Sequence, residues 1–197
     1  MKGALLIASI FLMSLAPSSI AYPDGVGDIA NDGCLCHGAS NQDTVVQIFG
    51  LPESYNHSTE YNLTLSIDSN VIRVDNHTNI GGFRLIVSAG EIIGAPQEYE
   101  DGYTHSNASD TTWNVTWLSP GEDNGTTRFR FYGNAVNGNG EQTGDYWNSF
   151  EIRIPGVNHT GEVTQRPQPD GSSSSQLLTG AIGLGLLIII LIWAVKD

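Results

Sequence analysis

Apolar and polar residues alternate in six stretches of this chain, each with a period of two. The clearest stretch has its apolar positions at Tyr61, Leu63, Leu65 and Ile67. The other five lie at 46–48, 83–87, 113–117, 129–131 and 150–154. Because successive side chains of a strand point to opposite faces, this alternation predicts β-strands with one buried face.

The segments between these stretches are rich in Gly, Pro, Asn and Asp, and no segment of 22–160 has a strong helical period. Strands with one apolar face bury it by packing one sheet against another. We therefore predict that residues 22–160 form an all-β domain, an antiparallel β-sandwich.

The two ends of the chain are continuously apolar instead of alternating. Residues 4–15 form an apolar run behind Lys2, and small residues follow up to Ala21. This pattern predicts a secretory signal peptide at 1–21, because the run is too short to span a membrane comfortably as an uncleaved anchor. Residues 177–195 contain no charge, and as a helix rising about 1.5 Å per residue they match the thickness of a bilayer.

The segment between the sandwich and this second apolar run is polar. Residues 161–176 are dominated by Pro, Ser, Gly and Gln, which predicts a flexible stalk. Lys196 follows the apolar run, on the expected cytoplasmic side. The predicted topology is a single-pass protein of the cell membrane, with the sandwich outside and the C-terminus in the cytoplasm.

The charge of the chain limits the partners of this predicted ectodomain. The chain has 21 acidic and 8 basic residues, and its lysines are Lys2 and Lys196. Residues 22–176 therefore carry no lysine, and their acidic surface repels nucleic acid and anionic lipid. We expect an extracellular protein or glycan ligand, and no nucleic acid.

Asparagine glycosylation sequons are more frequent than the composition predicts by chance, and they all lie between the signal peptide and the stalk. Their asparagines are Asn56, Asn62, Asn76, Asn107, Asn114, Asn124 and Asn158. Asn62 and Asn114 fall on the polar sides of their strands, where a glycan would be accommodated. We predict a glycosylated surface protein.

Several short motifs in the second half of the domain resemble those of one extracellular family. They are Thr-His-Ser at 104–106, Trp-x-x-Pro at 117–120, a turn at Gly125, the Phe-rich strand 129–131, and Gly-Phe-x-Leu at 82–85. Together they resemble the reeler domain, an immunoglobulin-like β-sandwich. Gly-Asn-Ala-x-Asn-Gly at 133–138 is similar to a loop of its prokaryotic branch, called choice-of-anchor V. The resemblance covers roughly residues 30–154 and implies a signal peptide, one reeler-like domain and a C-terminal anchor.

Both cysteines of the chain lie in a Cys-x-Cys-His motif, formed by Cys34, Cys36 and His37. Members of the branch often carry Cys-x-x-Cys-His there, the motif that attaches a c-type haem through two thioethers and an axial histidine. Here the position of the first cysteine is Gly33. At most one thioether is expected, through Cys36, with His37 as axial ligand and His105 as the candidate for the second axial position.

Other interpretations of the same residues stay open. Cys34 and Cys36 would form a strained disulfide in an oxidising compartment, or pair between molecules. Alternatively, zinc or copper would be held by Cys34, Cys36, His37 and His105. A structural role of the cysteines, without a cofactor, is the favoured interpretation, and His105 is equally well explained as a hydrogen-bonded structural histidine.

No catalytic signature is recognisable in the sequence. It lacks Gly-x-Ser-x-Gly, His-Glu-x-x-His, a phosphate loop and a dinucleotide fingerprint. We therefore predict a non-enzymatic, membrane-anchored and glycosylated cell-surface module for binding or adhesion. The alternative is an extracytoplasmic redox or electron-transfer protein, with haem c, copper or zinc at the cysteine motif.

Overall fold

The computed structural model describes residues 22–74 and 77–165. The predicted signal peptide, the predicted transmembrane helix, most of the predicted stalk and the sequon residue Asn76 lie outside these residues. Within the described ranges, no helix has both the length and the apolar character needed to cross a membrane.

The described residues form nine β-strands and two 3-10 helices. The helices are Asp28–Ala30 and Leu35–His37. The strands are β1 (Val45–Phe49), β2 (Glu60–Asp68), β3 (Gly81–Val87), β4 (Glu91–Ile93), β5 (Gln97–Glu98), β6 (Tyr103–Thr104), β7 (Thr112–Leu118), β8 (Thr126–Ala135) and β9 (Tyr146–Pro155). All six alternating stretches are strands. The structure adds β4, β5 and β6, which are too short to show an alternation.

The strands pair into two sheets. The four-stranded sheet has the order β1-β2-β7-β4, and the five-stranded sheet has the order β5-β6-β3-β8-β9. Every pair of neighbouring strands is antiparallel. The register places apolar residues opposite one another, as in Leu65 with Trp113 and Phe131 with Phe150. Each sheet therefore has one continuous apolar face.

The two apolar faces pack against each other around large aromatic side chains. Trp117 of β7 is fully buried, and its ring lies 4.9 Å from that of Phe129 in β8. Phe83 of β3 and Trp113 of β7 make a similar contact at 4.6 Å. Because both ring pairs join strands of different sheets, the predicted all-β antiparallel sandwich is confirmed.

The outward faces of the two sheets are unlike each other. On the four-stranded sheet, the outward residues Asn62 and Asn114 are exposed, and we call this the open face. On the five-stranded sheet, the outward residues Arg84 and Trp147 are buried, with exposed fractions of 0% and 6%. Residues 22–41, the N-terminal segment, lie over this second face, which we call the covered face.

Candidate functional site

Arg84 attaches the N-terminal segment to the covered face. Its Nε donates to Oδ1 of Asn31 at 2.9 Å, and its Nη1 donates to the carbonyl of Val26 at 3.4 Å. Nη1 and Nη2 also donate to the carbonyls of Tyr99 and Glu100, both at 2.5 Å. Burial lowers the pKa of Arg84, while nearby carboxylates oppose this shift. One side chain thus joins β3, the N-terminal segment and the loop that follows β5.

The Thr-His pair at 104–105 forms a second attachment. The Thr104 hydroxyl donates to the carbonyl of Phe83 at 2.7 Å and accepts the N–H of Val26 at 3.1 Å. Nδ1 of His105 accepts the N–H of Phe83 at 3.0 Å, and Nε2 lies 3.3 Å from the carbonyl of Tyr22. This network assigns the proton to Nε2. Burial lowers the pKa of His105, so the neutral form is favoured.

The same pair explains the glycine of the Gly-Phe-x-Leu motif. Gly82 lies directly under the imidazole of His105, and a Cβ at this position would come within 2.6 Å of the ring. Only glycine leaves room for the histidine to reach Phe83. The two motifs of the reeler resemblance are therefore parts of one packing unit.

The cysteine motif lies over Trp147 on β9. The Trp147 indole donates from Nε1 to the carbonyl of Gly38 at 2.9 Å. Gly33 has a φ of +121°, and a Cβ placed there would overlap the indole ring. A cysteine at this position would strain the backbone and would require the indole to move.

The two thiols differ in their access to solvent. Both cysteines are free; Cys34 is only partly exposed, whereas Cys36 is exposed. Burial raises the pKa of the Cys34 thiol to about 12, and the neighbouring Cys36 adds to this shift. Because the thiolate is the reactive form, Cys36 is the thiol available to reagents or to a cofactor.

His37 is oriented by a carboxylate from Asp145, the residue that directly precedes β9. Its Nδ1 lies 2.8 Å from Oδ2 of Asp145, a buried side chain. The other carboxylate oxygen of Asp145 accepts the N–H of Asn137 at 2.8 Å. Within the described ranges, Nε2 of His37 has no protein partner. A carboxylate on one ring nitrogen is the usual way in which proteins orient an imidazole that binds a metal through the other.

The structure does not assemble the four predicted ligands into one site. His105 lies in the attachment with Phe83 and Tyr22, where both of its ring nitrogens have partners. In the part of the chain that the structure describes, no group of three or more His, Cys, Asp or Glu side chains is placed to hold a metal ion. Cys36 and His37 remain as an adjacent, accessible pair.

A pocket lies between the N-terminal segment and the loop after β5. Its volume is about 400 Å³, and its walls include Tyr22, Asp24, Asp28, Ile29, Tyr99 and Glu100. Both tyrosines are 50% exposed. Oε2 of Glu100 accepts the N–H of Asp28 at 2.8 Å, and this bond lowers the pKa of the Glu100 carboxyl. The negative charge of Glu100 in turn raises the pKa of the Tyr99 hydroxyl.

Sequence reasoning missed this pocket, because its two walls are about seventy residues apart in the chain. The carboxylates near position 100 have the pattern of an ordinary solvated loop. This loop differs from an ordinary solvated loop because Arg84 donates hydrogen bonds to the carbonyls of Tyr99 and Glu100. A charged residue inside the apolar part of β3 was the one available signal.

The sequon asparagines that the structure describes are all exposed: Asn56, Asn62, Asn107, Asn114, Asn124 and Asn158. Two of them form a reciprocal pair on the open face. The Thr116 hydroxyl donates to Oδ1 of Asn62 at 3.2 Å, and the Thr64 hydroxyl donates to Oδ1 of Asn114 at 2.9 Å. Each asparagine thus lies opposite the threonine of the other sequon.

No protein-family profile and no curated protein matches this sequence. Solved structures do. The Reelin-N domain of F-spondin is 18% identical, with a TM-score of 0.41 over 59% of this chain and 88% of that chain. The human F-spondin reeler domain (fragment 2) is 16% identical, with a TM-score of 0.40 over 62% and 98%. A conjugative transposon lipoprotein from Bacteroides eggerthii is 11% identical, with a TM-score of 0.35 over 57% and 98%.

Reeler domains are thus among the solved structures to which this chain is similar, as the sequence motifs predict. The two-sheet architecture itself rests on the strand pairing of this chain. The narrower assignment to the choice-of-anchor V branch stays a prediction.

Proposed function

We propose that this protein is an extracellular binding module, displayed at the cell surface, and that it binds its partner on the covered face. The observation that carries this proposal is the pocket between Tyr22 and Tyr99. Ligand sites are typically concave, with apolar or aromatic walls and a few well-placed polar groups. The attachments made by Arg84 and His105 support both walls of the pocket on a rigid sheet, which suits a binding site.

The sequons support the same division between the faces. Glycans on Asn62 and Asn114 would cover the open face and leave the pocket accessible on the opposite face of the sandwich. Exposure of the six described sequon asparagines is what glycosylation requires. Glycosylation, the C-terminal anchor and a role in adhesion belong to this proposal.

The extracellular orientation has a direct test at Cys36. A membrane-impermeant maleimide, added to intact cells after mild reduction, is expected to label the full-length chain. The Cys36→Ser variant is the matched control and should lose most of the label, since Cys34 is only partly exposed. Labelling that requires lysis of the cells would contradict the proposed orientation.

The binding role is tested with cells that display the full-length chain. Tyr99→Leu removes an aromatic wall of the pocket, and Phe49→Leu makes the same kind of change on the open face, where Phe49 is 53% exposed. We expect Tyr99→Leu to reduce attachment of these cells to neighbouring cells or surfaces and Phe49→Leu to leave it unchanged. Equal attachment by both variants and the wild type would refute a binding role for the covered face.

The orientation of His37 favours a second candidate function, in redox chemistry. Cys36 and His37 would hold a haem c through one thioether and one imidazole nitrogen, or contribute two ligands to copper or zinc. Such a group, when bound, supplies one-electron transfer in the case of haem or copper. Asp145 would fix the orientation of the imidazole ring.

One mass and absorption measurement on the purified full-length protein distinguishes the binding function from the redox function. Binding without a cofactor predicts no Soret band and no haem mass after denaturation. A Soret band together with a covalent mass gain of one haem, both lost in Cys36→Ser, would support the redox function. A mass two hydrogens below that of the dithiol would instead indicate the predicted Cys34–Cys36 disulfide.

A further inference from the structure

We propose that the pocket on the covered face binds an organic ammonium group, with Tyr22 and Tyr99 as its aromatic walls and nearby carboxylates as its counter-charge. This inference rests on the proposed function as a binding module and names the ligand class of that same site. The ligand is an alkylated or primary ammonium, free or at the end of a partner's side chain.

The aromatic walls are the first argument. Tyr22, Tyr99 and Ile29 line the pocket, and the exposed fractions of these residues are 50%, 50% and 61%. Faces of aromatic rings attract organic cations through the ring quadrupole, and cages of such rings recognise quaternary ammonium ligands. The apolar surface of Ile29 suits the methyl or methylene groups that surround the charged nitrogen.

The walls of the pocket are negatively charged. Asp24, Asp28 and Glu100 carry three carboxylates, and no Lys, Arg or His side chain belongs to the lining. Cleavage after Ala21 would add one positive charge, the α-ammonium of Tyr22, so the carboxylates would still outnumber the cationic groups of the lining residues. The nearest guanidinium, that of Arg84, is directed into the protein, onto the carbonyls of Tyr99 and Glu100. A pocket with negative walls and an exposed aromatic surface raises the local concentration of cationic ligands.

The arrangement of the donors argues against a metal ion. Within residues 22–74 and 77–165, no three acidic, cysteine or histidine side chains come close enough to coordinate one. Glu100 already uses Oε2 to accept the N–H of Asp28. Carboxylates spread around a cavity of about 400 Å³ fit a large, weakly hydrated cation better than a small ion that needs direct ligands.

The hydrogen-bond donors and acceptors that line the pocket argue against a sugar as the ligand. Sugar hydroxyls need both donors and acceptors, yet the amide of Gln97, the donor-bearing side chain in the lining besides the tyrosines, is occupied. Its Nε2 donates to the carbonyls of Asp24 and His105, at 2.5 and 2.7 Å. The free polar atoms of the pocket are mostly acceptors, which select a donor-rich, positively charged ligand.

The test uses the full-length protein in detergent at low ionic strength, with choline and its uncharged isostere 3,3-dimethylbutan-1-ol as probes. We expect saturable binding of choline by calorimetry or NMR titration, and at least about tenfold weaker binding of the neutral probe. Tyr99→Leu should weaken choline binding by about tenfold, whereas Tyr99→Phe, which keeps the aromatic face, should retain it.

Two further variants control for folding and for net charge. Tyr22→Leu should weaken choline binding in the same way as Tyr99→Leu, with an unchanged unfolding midpoint, because both side chains are half-exposed. Asp24→Asn should weaken binding several-fold. Asp43→Asn removes the same charge from an exposed site outside the pocket and should have no effect.

Equal affinity for choline and the neutral isostere, or wild-type affinity in both tyrosine variants, would overturn the proposal. Tighter binding of glucose, galactose or N-acetylglucosamine than of choline would overturn it in favour of a carbohydrate site. If choline does not bind but Tyr99→Leu still abolishes cell attachment, the binding module stands and the ammonium class falls.

Discussion

The open face and the covered face begin from the same strand pattern and end in different environments. On the open face, the outward residues of β2 and β7 remain in solvent and form hydrogen bonds with one another. On the covered face, Arg84 and Trp147 are at equivalent outward positions but are buried under the N-terminal segment. Alternation along a strand therefore determines which side chains enter the sandwich core, but not which of the others reach solvent.

This difference also separates two kinds of chemistry. The open face carries the exposed asparagines Asn62 and Asn114, which are suitable positions for attached glycans. The covered face brings together segments that are distant in the chain, and both the pocket and the His37–Asp145 pair depend on that. Four sets of substitutions test this difference between the two faces.

Removal of the Arg84 side chain should have the largest effect. Arg84→Ala leaves buried carbonyls without donors and detaches the N-terminal segment, so we expect the free energy of unfolding to fall by about 3 kcal/mol or more. The matched control is Arg128→Ala on the same face, where the side chain is half-buried; we expect a change within about 0.5 kcal/mol. Urea unfolding measures both. Equal losses would mean that the covered face does not depend on Arg84.

Gly33 and Gly38 test the packing of the cysteine motif. Both have positive φ, but a Cβ at Gly33 would overlap Trp147 whereas a Cβ at Gly38 would meet open space. Gly38→Ala should cost about 1–3 kcal/mol of backbone strain, because a φ of +90° with a ψ of −152° is a conformation that essentially only glycine adopts. Gly33→Ala should cost that amount and about 1–3 kcal/mol more for the overlap. Thermal or urea unfolding compares the two, and an equal cost would show that the indole moves aside easily.

His105 should make the stability of the covered face depend on pH. Because burial lowers its pKa, the folded state binds fewer protons than the unfolded state, whose histidine pKa is about 6.5. Stability should be complete above that value, decrease as the pH falls through it, and level off below the lowered pKa of the folded state. His105→Gln should be less stable at pH 8 and show a flatter decrease. A parallel decrease in both proteins would assign the pH dependence to other groups.

The open face should respond least. Thr64→Val removes one cross-strand hydrogen bond at the surface, for which we expect a loss of about 0.2–1 kcal/mol. It also destroys the sequon of Asn62, so the intact mass of the protein should fall by one glycan if that site is occupied. Thr64→Ser keeps both the hydroxyl and the sequon and should leave mass and stability nearly unchanged. A large destabilisation by Thr64→Val would show that the open face is not a passive surface.

The comparison also shows where sequence reasoning succeeds. The six long strands were predictable, because each buries one face and the period-two signal is strong over several residues. The short strands β4, β5 and β6 were not, since two or three residues cannot show a period. A hydrogen-bonded structural role for His105 was one of two open interpretations, and its role with Thr104 in attaching the N-terminal segment was not predicted. It needed the positions of Phe83 and Val26 to be seen.

The cysteine motif also shows which features the sequence predicts and which require the tertiary structure. The spacing of Cys34, Cys36 and His37 is enough to question a two-thioether haem, because Gly33 stands at the first position. Only the structure shows that the Trp147 indole packs against Gly33, and only the structure provides Asp145 as the partner of His37. These contacts join residues more than a hundred positions apart, and no local spacing reports them.

The sequence by itself determined the class of fold and the side of each long strand that enters the core, because local periodicity and the burial of apolar surface act over a few residues. It also determined the acidic, lysine-free character of the domain. The tertiary structure alone decided that one outward face is covered, that Arg84 is buried with its hydrogen bonds satisfied, and that Tyr22 and Tyr99 line one pocket. These features require side chains from distant segments to meet, and that follows from the pairing and packing of whole sheets.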